Sequence, residues 1–462
     1  MASTSAFAIR GAEILDGTGR HRSDILVRDG RIAAIAPELD PTLPTHAADG
    51  LIATPGGVDP HAHIEQRSGM GLWNADTFET ATRSAAMGGT TSVISFAAQG
   101  KGERLQDVVA DYTQRARRGA MIDFAFHLTL SDPDAPHFED DLRALITAGH
   151  RSVKVFTTYN IALNDDQIAR ILSIAGGAGA LTCVHAEDDQ ILQDARNALL
   201  SKGKTRPKHH ARARPRAAES EAVARICAMA ERLRAPVMIF HVTCVEALDA
   251  VRAARSRGAP IFAETCTHYL FQTAEVLDKP GVEGAKWMCS PPQRDAADQT
   301  ALWEALHDGN LDLISSDHAP YRFDATGKLS AGPNPLFPDI ANGQPGLELR
   351  QPLVFDALLR HDTMSETAFP RLTASRAAEI YGLPGKGQLA VGADADIVLW
   401  DPTRGHTYGA DDLHDNVGYN PHEGRSVSIW PVDVFLRGDR IVSDGALTTE
   451  PGRGRWINRS PT

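Results

Sequence analysis

The sequence is poor in cysteine and has no long apolar run. Its five cysteines are widely spaced and none falls in a C-x-x-C pair, which argues against a disulfide framework and against a thiolate zinc site. No segment approaches the ~18 consecutive apolar residues of a membrane helix. The first residues, MASTSAFAIRGAEIL, do not combine a basic region with an apolar one, as a secretory signal does. We therefore expect a cytoplasmic protein that does not enter a membrane.

Charge and composition argue against further classes of protein. The 462 residues carry a net charge of −12, whereas nucleic-acid-binding surfaces are usually basic. Hydrophobic residues make up 42% of the chain and charged residues 23%, as in a soluble globular enzyme. One basic segment, KGKTRPKHHARARPR at 202–216, runs against the overall charge. Because it contains two prolines and lies between a strand pattern and a helix pattern, we predict a long loop, which another subunit could cover, and no nucleic-acid partner.

Both ends of the chain are patterned like short strands. FAIRGAEIL and SDILVRDGRIAAIAP lie near the start, and GADADIVLWDP and VSIWPVDVFLRGDRIVSDG lie near the end. Neither end has enough strands to cover its own apolar faces. We predict that residues 1–54 and 385–462 together form a small composite β-sandwich with a C-terminal segment.

The middle of the chain, residues 55–384 with the strand that leads into it, alternates strand and helix patterns. Eight apolar segments lie at 51–63, 90–97, 122–130, 152–158, 180–187, 235–243, 259–266 and 311–320. Their number and their near-continuous apolar character predict an α/β fold, a catalytic (β/α)8 TIM barrel of parallel strands. In such barrels the C-terminal strand ends carry the chemistry.

Five of these segments end in or near side chains suited to binding a divalent metal. In chain order these side chains are His61 and His63, Lys154, His185, His241 and Asp317. Alternation along a strand makes His61 and His63 face the same way, and imidazoles are good ligands for zinc and similar metals. Alone, an H-x-H pair is a weak signal, and a histidine after an apolar run is more often a core residue. Recurrence at equivalent strand ends predicts one shared centre that holds two metal ions.

Lys154, between Val153 and Val155, is out of place in a buried strand. Burial of an amine is costly unless the amine is paired or chemically modified. Two explanations are open at this point. The lysine could pair with a buried carboxylate, or carbon dioxide could carbamylate it and so create a carboxylate able to bridge two metals.

The motifs PGGVDPHAH, SVKVFTTY, VHAED, FHVTCVEA, ETCTHYL, MCSPPQR, SSDHAP and ANGQPG together resemble the hydantoinase/dihydropyrimidinase family of the amidohydrolase superfamily. The resemblance continues to GADADIVLWDP and covers nearly the whole chain. It implies a homotetramer and two divalent metal ions per subunit, usually zinc. His61, His63 and Asp317 would hold one ion, and His185 and His241 the other. Lys154, carbamylated to N6-carboxylysine, would bridge them.

The resemblance also implies a reaction. A hydroxide that bridges the metals would attack a small cyclic amide, a 5,6-dihydropyrimidine or hydantoin, and open its ring to an N-carbamoyl amino acid. Asp317 would act first as base and then as acid. Tyr159 would donate its phenol to the oxyanion, although a barrel-rim aromatic is the plainer interpretation of this residue. Ser290 and Asn342 match positions where the family holds the substrate through backbone groups.

The sequence departs from the family pattern in two places. The loop after the histidine pair carries Glu65, Gln66 and Arg67 where family members are more apolar. Unless these side chains face solvent, they predict a preference for a small or polar 5-substituent. Thr267-His268 replaces the usual Pro-Gln, and a histidine here resembles allantoinases. An allantoinase or another cyclic ureide or imide hydrolase is therefore the alternative function.

Two other classes of protein share this fold. One is a non-enzymatic tetrameric scaffold that has lost its metal ligands, whereas all six ligand positions and Tyr159 are present here. The other is a deaminase with a single metal, and those enzymes lack the lysine that stands here at position 154. The sequence favours neither.

Overall fold

The computed structural model of the protein describes residues 6–361 and 363–461. The strands of the described residues are β1 (Ala6–Arg10), β2 (Glu13–Asp16), β3 (Gly19–Arg22), β4 (Asp24–Arg28), β5 (Arg31–Ala36), β6 (Thr45–Ala47), β7 (Ile52–Pro55), β8 (Gly57–Ala62), β9 (Thr90–Ala98), β10 (Asp123–Thr129), β11 (Ser152–Phe156), β12 (Leu181–His185), β13 (Val237–Ile239), β14 (Ile261–Cys266), β15 (Leu313–Ser315), β16 (Ile397–Asp401), β17 (His406–Thr407), β18 (Ser426–Val427), β19 (Trp430–Leu436), β20 (Asp439–Ser443) and β21 (Ala446–Leu447).

The α-helices of the described residues are α1 (Phe78–Met87), α2 (Leu105–Gly119), α3 (Phe138–Thr147), α4 (Asp165–Gly177), α5 (Asp189–Leu200), α6 (His210–Ala213), α7 (Arg216–Leu233), α8 (Val245–Ser256), α9 (Thr267–Phe271), α10 (Ala296–His307), α11 (Arg350–Leu359), α12 (Ala368–Pro370) and α13 (Arg376–Ile380). Short 3-10 turns occupy Pro207–His209, Ala274–Leu277, Glu283–Trp287 and Phe337–Asp339, and a π-helical turn occupies Arg371–Ser375.

Strands β8 to β15 form one parallel sheet in chain order. The two ends of this sheet meet where Ala62 pairs with His318, and the His63 N–H donates to the His318 carbonyl at 2.7 Å. The ring closes in this way, with helices between successive strands. The structure therefore confirms the (β/α)8 barrel predicted from the sequence.

The first predicted barrel strand, residues 51–63, is divided in the structure. Its beginning, β7, pairs antiparallel with β16 outside the barrel, and its end, β8, pairs with β9 inside the barrel. The break falls at Gly56, where a Cβ atom would lie 2.2 Å from the Thr91 hydroxyl oxygen. Only glycine lets the chain between β7 and β8 approach Thr91 of β9 this closely. The prediction of one continuous strand was wrong because its two parts pair with different sheets.

Strands from both chain ends share a seven-stranded sheet, in the order β21-β20-β19-β16-β7-β2-β3. A second sheet, β5-β4-β1-β6, comes from the N-terminal region alone. Residues of both sheets, among them Ile9, Ile25, Ile397 and Leu399, form one buried apolar cluster. The domain limits 1–54 with 385–462, and 55–384, stay a prediction.

The last described residues return to the N-terminal end of the barrel. The Phe124 N–H donates to the Arg455 carbonyl at 2.9 Å, and the Ile457 N–H donates to the Phe124 carbonyl at 2.8 Å. Arg459 is 3% exposed and donates at 2.6 Å to both the Ser152 hydroxyl and the Phe126 carbonyl. This tail covers the barrel floor, opposite the strand ends that carry the predicted ligands. No helix among the described residues is long and apolar enough to span a membrane.

A buried ion cluster joins the barrel to the composite sheet. The Lys386 Nζ atom lies 2.6 Å from Asp123 at the start of β10, 2.8 Å from Asp396 beside β16 and 3.0 Å from Asp394. Arg437 also pairs with Asp123. Because Asp123 and Asp396 are buried, their charges need the compensation that Lys386 and, at Asp123, Arg437 provide.

Lys386→Met tests this cluster. Removal of one partner from a buried ion cluster typically costs ~3–5 kcal/mol, so we expect a loss of that size in the free energy of unfolding, measured by urea denaturation. The control is Arg22→Met, which breaks the Arg22–Asp49 pair of 2.6 Å between side chains that are 71% and 70% exposed. An exposed pair contributes ~0–1 kcal/mol, so equal losses in the two variants would refute the assignment.

Candidate metal centre and active site

The predicted metal ligands converge at the C-terminal ends of the barrel strands. His61 lies in β8, Lys154 in β11 and His185 at the end of β12. His63 follows β8 directly, and His241 and Asp317 lie two residues beyond the ends of β13 and β15. All six side chains line one cavity of about 370 Å³. The structure therefore brings together every residue that the sequence analysis assigned to the metals.

Asp317 forms the centre of the first ligand group. Its Oδ1 atom lies 3.0 Å from the His61 Nε2 atom and 3.3 Å from the His63 Nε2 atom. Burial alone would lower the pKa of His61, but the charges of Asp317 and Glu264 raise it to about 9. Burial would likewise raise the pKa of Asp317, but His61 and His63 hold it well below its usual range. This group therefore favours positive charge, which a divalent cation would supply.

The second ligand group surrounds Lys154. The imidazole centroids of His185 and His241 lie 4.5 Å apart. The His241 Nδ1 atom and the Lys154 Nζ atom are buried and have no hydrogen-bond partner among the described residues. Buried polar atoms are rarely left unpaired, so these two fit a site completed by a bound group.

Lys154 has no ion-pair partner within the described part of the chain. Its Nζ atom lies instead 3.9 Å from the centroid of the Phe240 ring and 4.8 Å from that of Phe156. Burial among these rings lowers the pKa of Lys154 to about 7. Of the two explanations left open by the sequence, the direct lysine–carboxylate pair is therefore not the one observed.

Three side chains orient the imidazoles. The His61 Nδ1 atom lies 2.6 Å from Glu264, the His63 Nδ1 atom 2.7 Å from the Gln66 side-chain oxygen, and the His185 Nε2 atom 2.8 Å from Glu187. A histidine ligand needs such a partner because the bond on one ring nitrogen fixes the direction of the other. The opposite nitrogen of each ring is thus left for the cavity.

Glu187, Glu264 and Arg214 were not identified from the sequence. Arg214 forms an ion pair with Glu187 at 2.5 Å, and its guanidinium also donates to the Tyr159 hydroxyl at 3.2 Å. Burial would raise the pKa of Glu187, but Arg214 and His185 hold it well below its usual range. Glu187 had a signal, since it follows His185 by two residues at a strand end. Arg214 had none, because its contacts are long-range.

The basic segment 202–216 is not one long loop. Pro207–His209 and His210–Ala213 are helical, and α7 begins at Arg216. That part of the prediction was wrong because Arg214 and His210 turn inward, where the His210 ring bonds the Cys289 carbonyl at 2.8 Å. These contacts order the segment within the subunit.

Three residues of the cavity wall and one of the loop after His63 have a left-handed backbone conformation. Tyr159, His241 and Asp317 have φ angles of 73°, 41° and 44°, and Glu65 has one of 46°. Residues other than glycine seldom adopt this left-handed conformation, which is most often retained at functional sites. At each of these residues the left-handed conformation turns the chain, although at His241 and Asp317 the sequence pattern still predicts extended structure.

The predicted substrate-binding residues also line the cavity. Tyr159 is 38% exposed, and its oxygen accepts a hydrogen bond from Arg214 at 3.2 Å. The Ser290 hydroxyl and the Asn342 side-chain oxygen are buried and unpaired among the described residues. The cavity wall thus carries three polar groups beside the predicted metal ligands, and those of Ser290 and Asn342 have no partner among the described residues.

The polar loop after His63 contributes less to the cavity than its sequence predicts. Gln66 lines the cavity, but Glu65 and Arg67 do not. The Glu65 carboxylate lies 3.7 Å from Arg115, and Arg67 donates to the Gly71 carbonyl at 3.2 Å. Of the three side chains that predicted a preference for polar 5-substituents, only that of Gln66 lines the cavity.

His268, the allantoinase-like residue, is buried outside the cavity. It is 4% exposed and is not among the residues that line the site. Its imidazole packs instead on Tyr269, with ring centroids 4.0 Å apart.

A parallel barrel whose strand ends gather these histidines, the aspartate and a buried lysine defines a metal-dependent hydrolase. The chain belongs to the amidohydrolase family, whose sequence profile matches residues 52–441. It is 39% identical to the D-hydantoinase of Ralstonia pickettii, over 98% of each chain, and 38% identical to that of Rhizobium radiobacter, again over 98% of each. The crystal structure of dihydropyrimidinase from Brevibacillus agri NCHU1002 superposes with a TM-score of 0.95 at 36% identity, covering 99% of both chains. The family predicted from the motifs is confirmed.

Glu187→Gln tests the orienting contacts. The change keeps the shape of the side chain but leaves the Arg214 charge uncompensated and weakens the bond to His185. Loss of such an outer contact typically costs 10–100-fold in metal affinity, so we expect roughly that loss in retained divalent metal on titration with a chelator. Glu246→Gln, which alters an exposed carboxylate 3.0 Å from Arg216, serves as the control. Equal metal retention in both variants would contradict the assignment.

Proposed function

We propose that this hydrolase opens the ring of a small cyclic amide, of the 5,6-dihydropyrimidine or hydantoin type, to give an N-carbamoyl amino acid. The observation that carries the proposal is the convergence of six metal-ligand positions with Tyr159, Ser290 and Asn342 on one cavity. Its volume, about 370 Å³, is within the range of small-molecule sites. The likeness to D-hydantoinases and a dihydropyrimidinase supports the same substrate class.

The proposed centre holds two divalent ions, which we expect to be zinc. His61, His63 and Asp317 would hold one ion, His185 and His241 the other, and Lys154 would bridge them as N6-carboxylysine. The donor set of imidazole nitrogens and carboxylate oxygens supports zinc. A pKa of about 7 supports carbamylation, because a large fraction of the Lys154 amine is then neutral and able to react with carbon dioxide. When bound, the two ions would polarise the amide carbonyl and lower the pKa of water.

Asp317 and Tyr159 carry the proton transfer and the charge stabilisation in this proposal. Asp317 lines the cavity beside His61 and His63, where its carboxylate would accept a proton from the attacking water and deliver it to the departing ring nitrogen. Arg214 donates to the Tyr159 oxygen, which leaves the phenol hydrogen free to point at the developing oxyanion. Ser290 and Asn342 would hold the amide of the ring.

Neither the allantoinase nor the scaffold alternative is supported by the residues around the cavity. His268, the residue that favoured an allantoinase, does not line the cavity. A scaffold protein would have no need for orienting contacts on three imidazoles. From the family resemblance alone, we also propose a cytoplasmic homotetramer whose partner is the small-molecule substrate. The net charge of −12 supports the absence of a nucleic-acid partner.

Ring opening tests the proposed function directly. Protein purified with bicarbonate and loaded with zinc is assayed on dihydrouracil, hydantoin and allantoin. We expect turnover of the first two and its loss to background in Lys154→Ala, because the bridging ligand is removed. Lys202→Ala, at an exposed position, is the control. Turnover of allantoin alone would move the assignment to the ureide hydrolases, and an active Lys154→Ala enzyme would refute the role of the lysine.

Tyr159→Phe tests the oxyanion contact. Loss of one preorganised donor typically lowers kcat by about 10²–10³, and we expect that decrease with little change in KM. Tyr321→Phe is the matched control, since Tyr321 is a second tyrosine in the cavity wall. If both variants retained full kcat, Tyr159 would be only an aromatic of the barrel rim.

A further inference from the structure

Lys328 is a buried lysine that the proposed reaction does not use. It is fully buried, and no carboxylate forms a salt bridge with it in the described part of the chain. Its Nζ atom donates instead to two backbone carbonyls, that of Ala341 at 2.9 Å and that of Met288 at 3.3 Å. The backbone of Lys328 is anchored by its N–H, which donates to the Arg322 carbonyl at 2.8 Å.

The two carbonyls belong to the loops that carry the predicted substrate-binding residues. Ala341 immediately precedes Asn342, and Met288 lies two residues before Ser290. The loops also bond each other, because the Gly343 N–H donates to the Met288 carbonyl at 2.7 Å. Lys328 therefore spans the junction of two loops whose polar atoms face the cavity unpaired.

Burial of an amine costs desolvation free energy, so packing alone does not explain a lysine at this position. An apolar side chain of similar length, such as methionine, would occupy the same volume without the cost of desolvating the amine. Burial without a counter-ion lowers the pKa of Lys328 to about 7. A neutral amine still has two N–H groups, and the structure offers them two carbonyl acceptors. The lysine thus suits the task of holding these carbonyls better than that of packing.

We infer that Lys328 is a positioning residue that ties the 288–290 and 341–343 loops together, so that Ser290 and Asn342 face the substrate in a fixed geometry. This inference rests on the proposed function and deepens it. Lys328 touches no reacting atom. Its effect reaches the substrate through the two loops, so its loss should weaken substrate binding more than the chemical step.

Lys328→Met removes both donors and keeps the length of the side chain. Because loss of uniform binding raises KM at constant kcat, we expect KM for the cyclic amide to rise about tenfold, with kcat and metal content within about twofold of wild type. Lys286→Met is the control. Lys286 lies two residues before Met288, but its Nζ atom pairs with Glu283 at 2.5 Å and does not join the two loops. Its KM should stay at the wild-type value.

Two outcomes would distinguish a failure of the role of Lys328 from a failure of the proposed function. A Lys328→Met enzyme that melts at a lower temperature with an unchanged KM would show a purely structural lysine and refute the inference alone. A wild-type enzyme that opens no cyclic amide would refute the proposed function, and the role of Lys328 with it. If Lys328→Met does not fold, Lys328→Gln takes its place. The shorter amide should raise KM severalfold, and an unchanged KM there would equally overturn the inference.

Discussion

The Asp317 carboxylate ties the last barrel strand to the first. It stands 3.0 and 3.3 Å from the imidazoles of His61 and His63, just above the point where Ala62 pairs with His318 to close the ring. The same closure that completes the barrel therefore completes the first ligand group. Lys154, His185 and His241 then join from the strands between, so the centre exists only in the closed ring. Everything proposed for this enzyme depends on that junction.

The barrel, and the strand-end positions of the side chains that line its cavity, could be predicted because both follow from local pattern. Apolar runs with polar ends place His185 and His241 at strand ends whatever the rest of the chain does. Glu264 and Arg214 could not be found in this way, since the bond from Glu264 to His61 spans 203 residues. The break between β7 and β8 was equally hidden, because β7 leaves the barrel to pair with β16, a strand far along the chain.

The loop after His63 shows a different limit of sequence reasoning. Its polar residues were expected at the mouth of the site, but the left-handed backbone at Glu65 turns that side chain toward Arg115. A left-handed conformation at a residue other than glycine leaves no mark in composition or periodicity. Tyr159 and Asp317 also have this conformation, and their side chains line the cavity. Their directions therefore come from the structure, although the residues themselves were identified from the sequence.

The C-terminal tail beneath the barrel constrains the order in which the chain folds during synthesis. Residues 455–459 seal the barrel floor, and β16 supplies the partner that β7 needs in the composite sheet. On the ribosome these segments emerge after the barrel strands, at ~5–20 residues per second. The residues between β7 and β16 take tens of seconds to synthesise, and β7 lacks this partner for that time. The floor of the barrel stays uncovered until residues 455–459 follow. Folding to the native state is thus a late event of synthesis, with the early strands in need of protection until then.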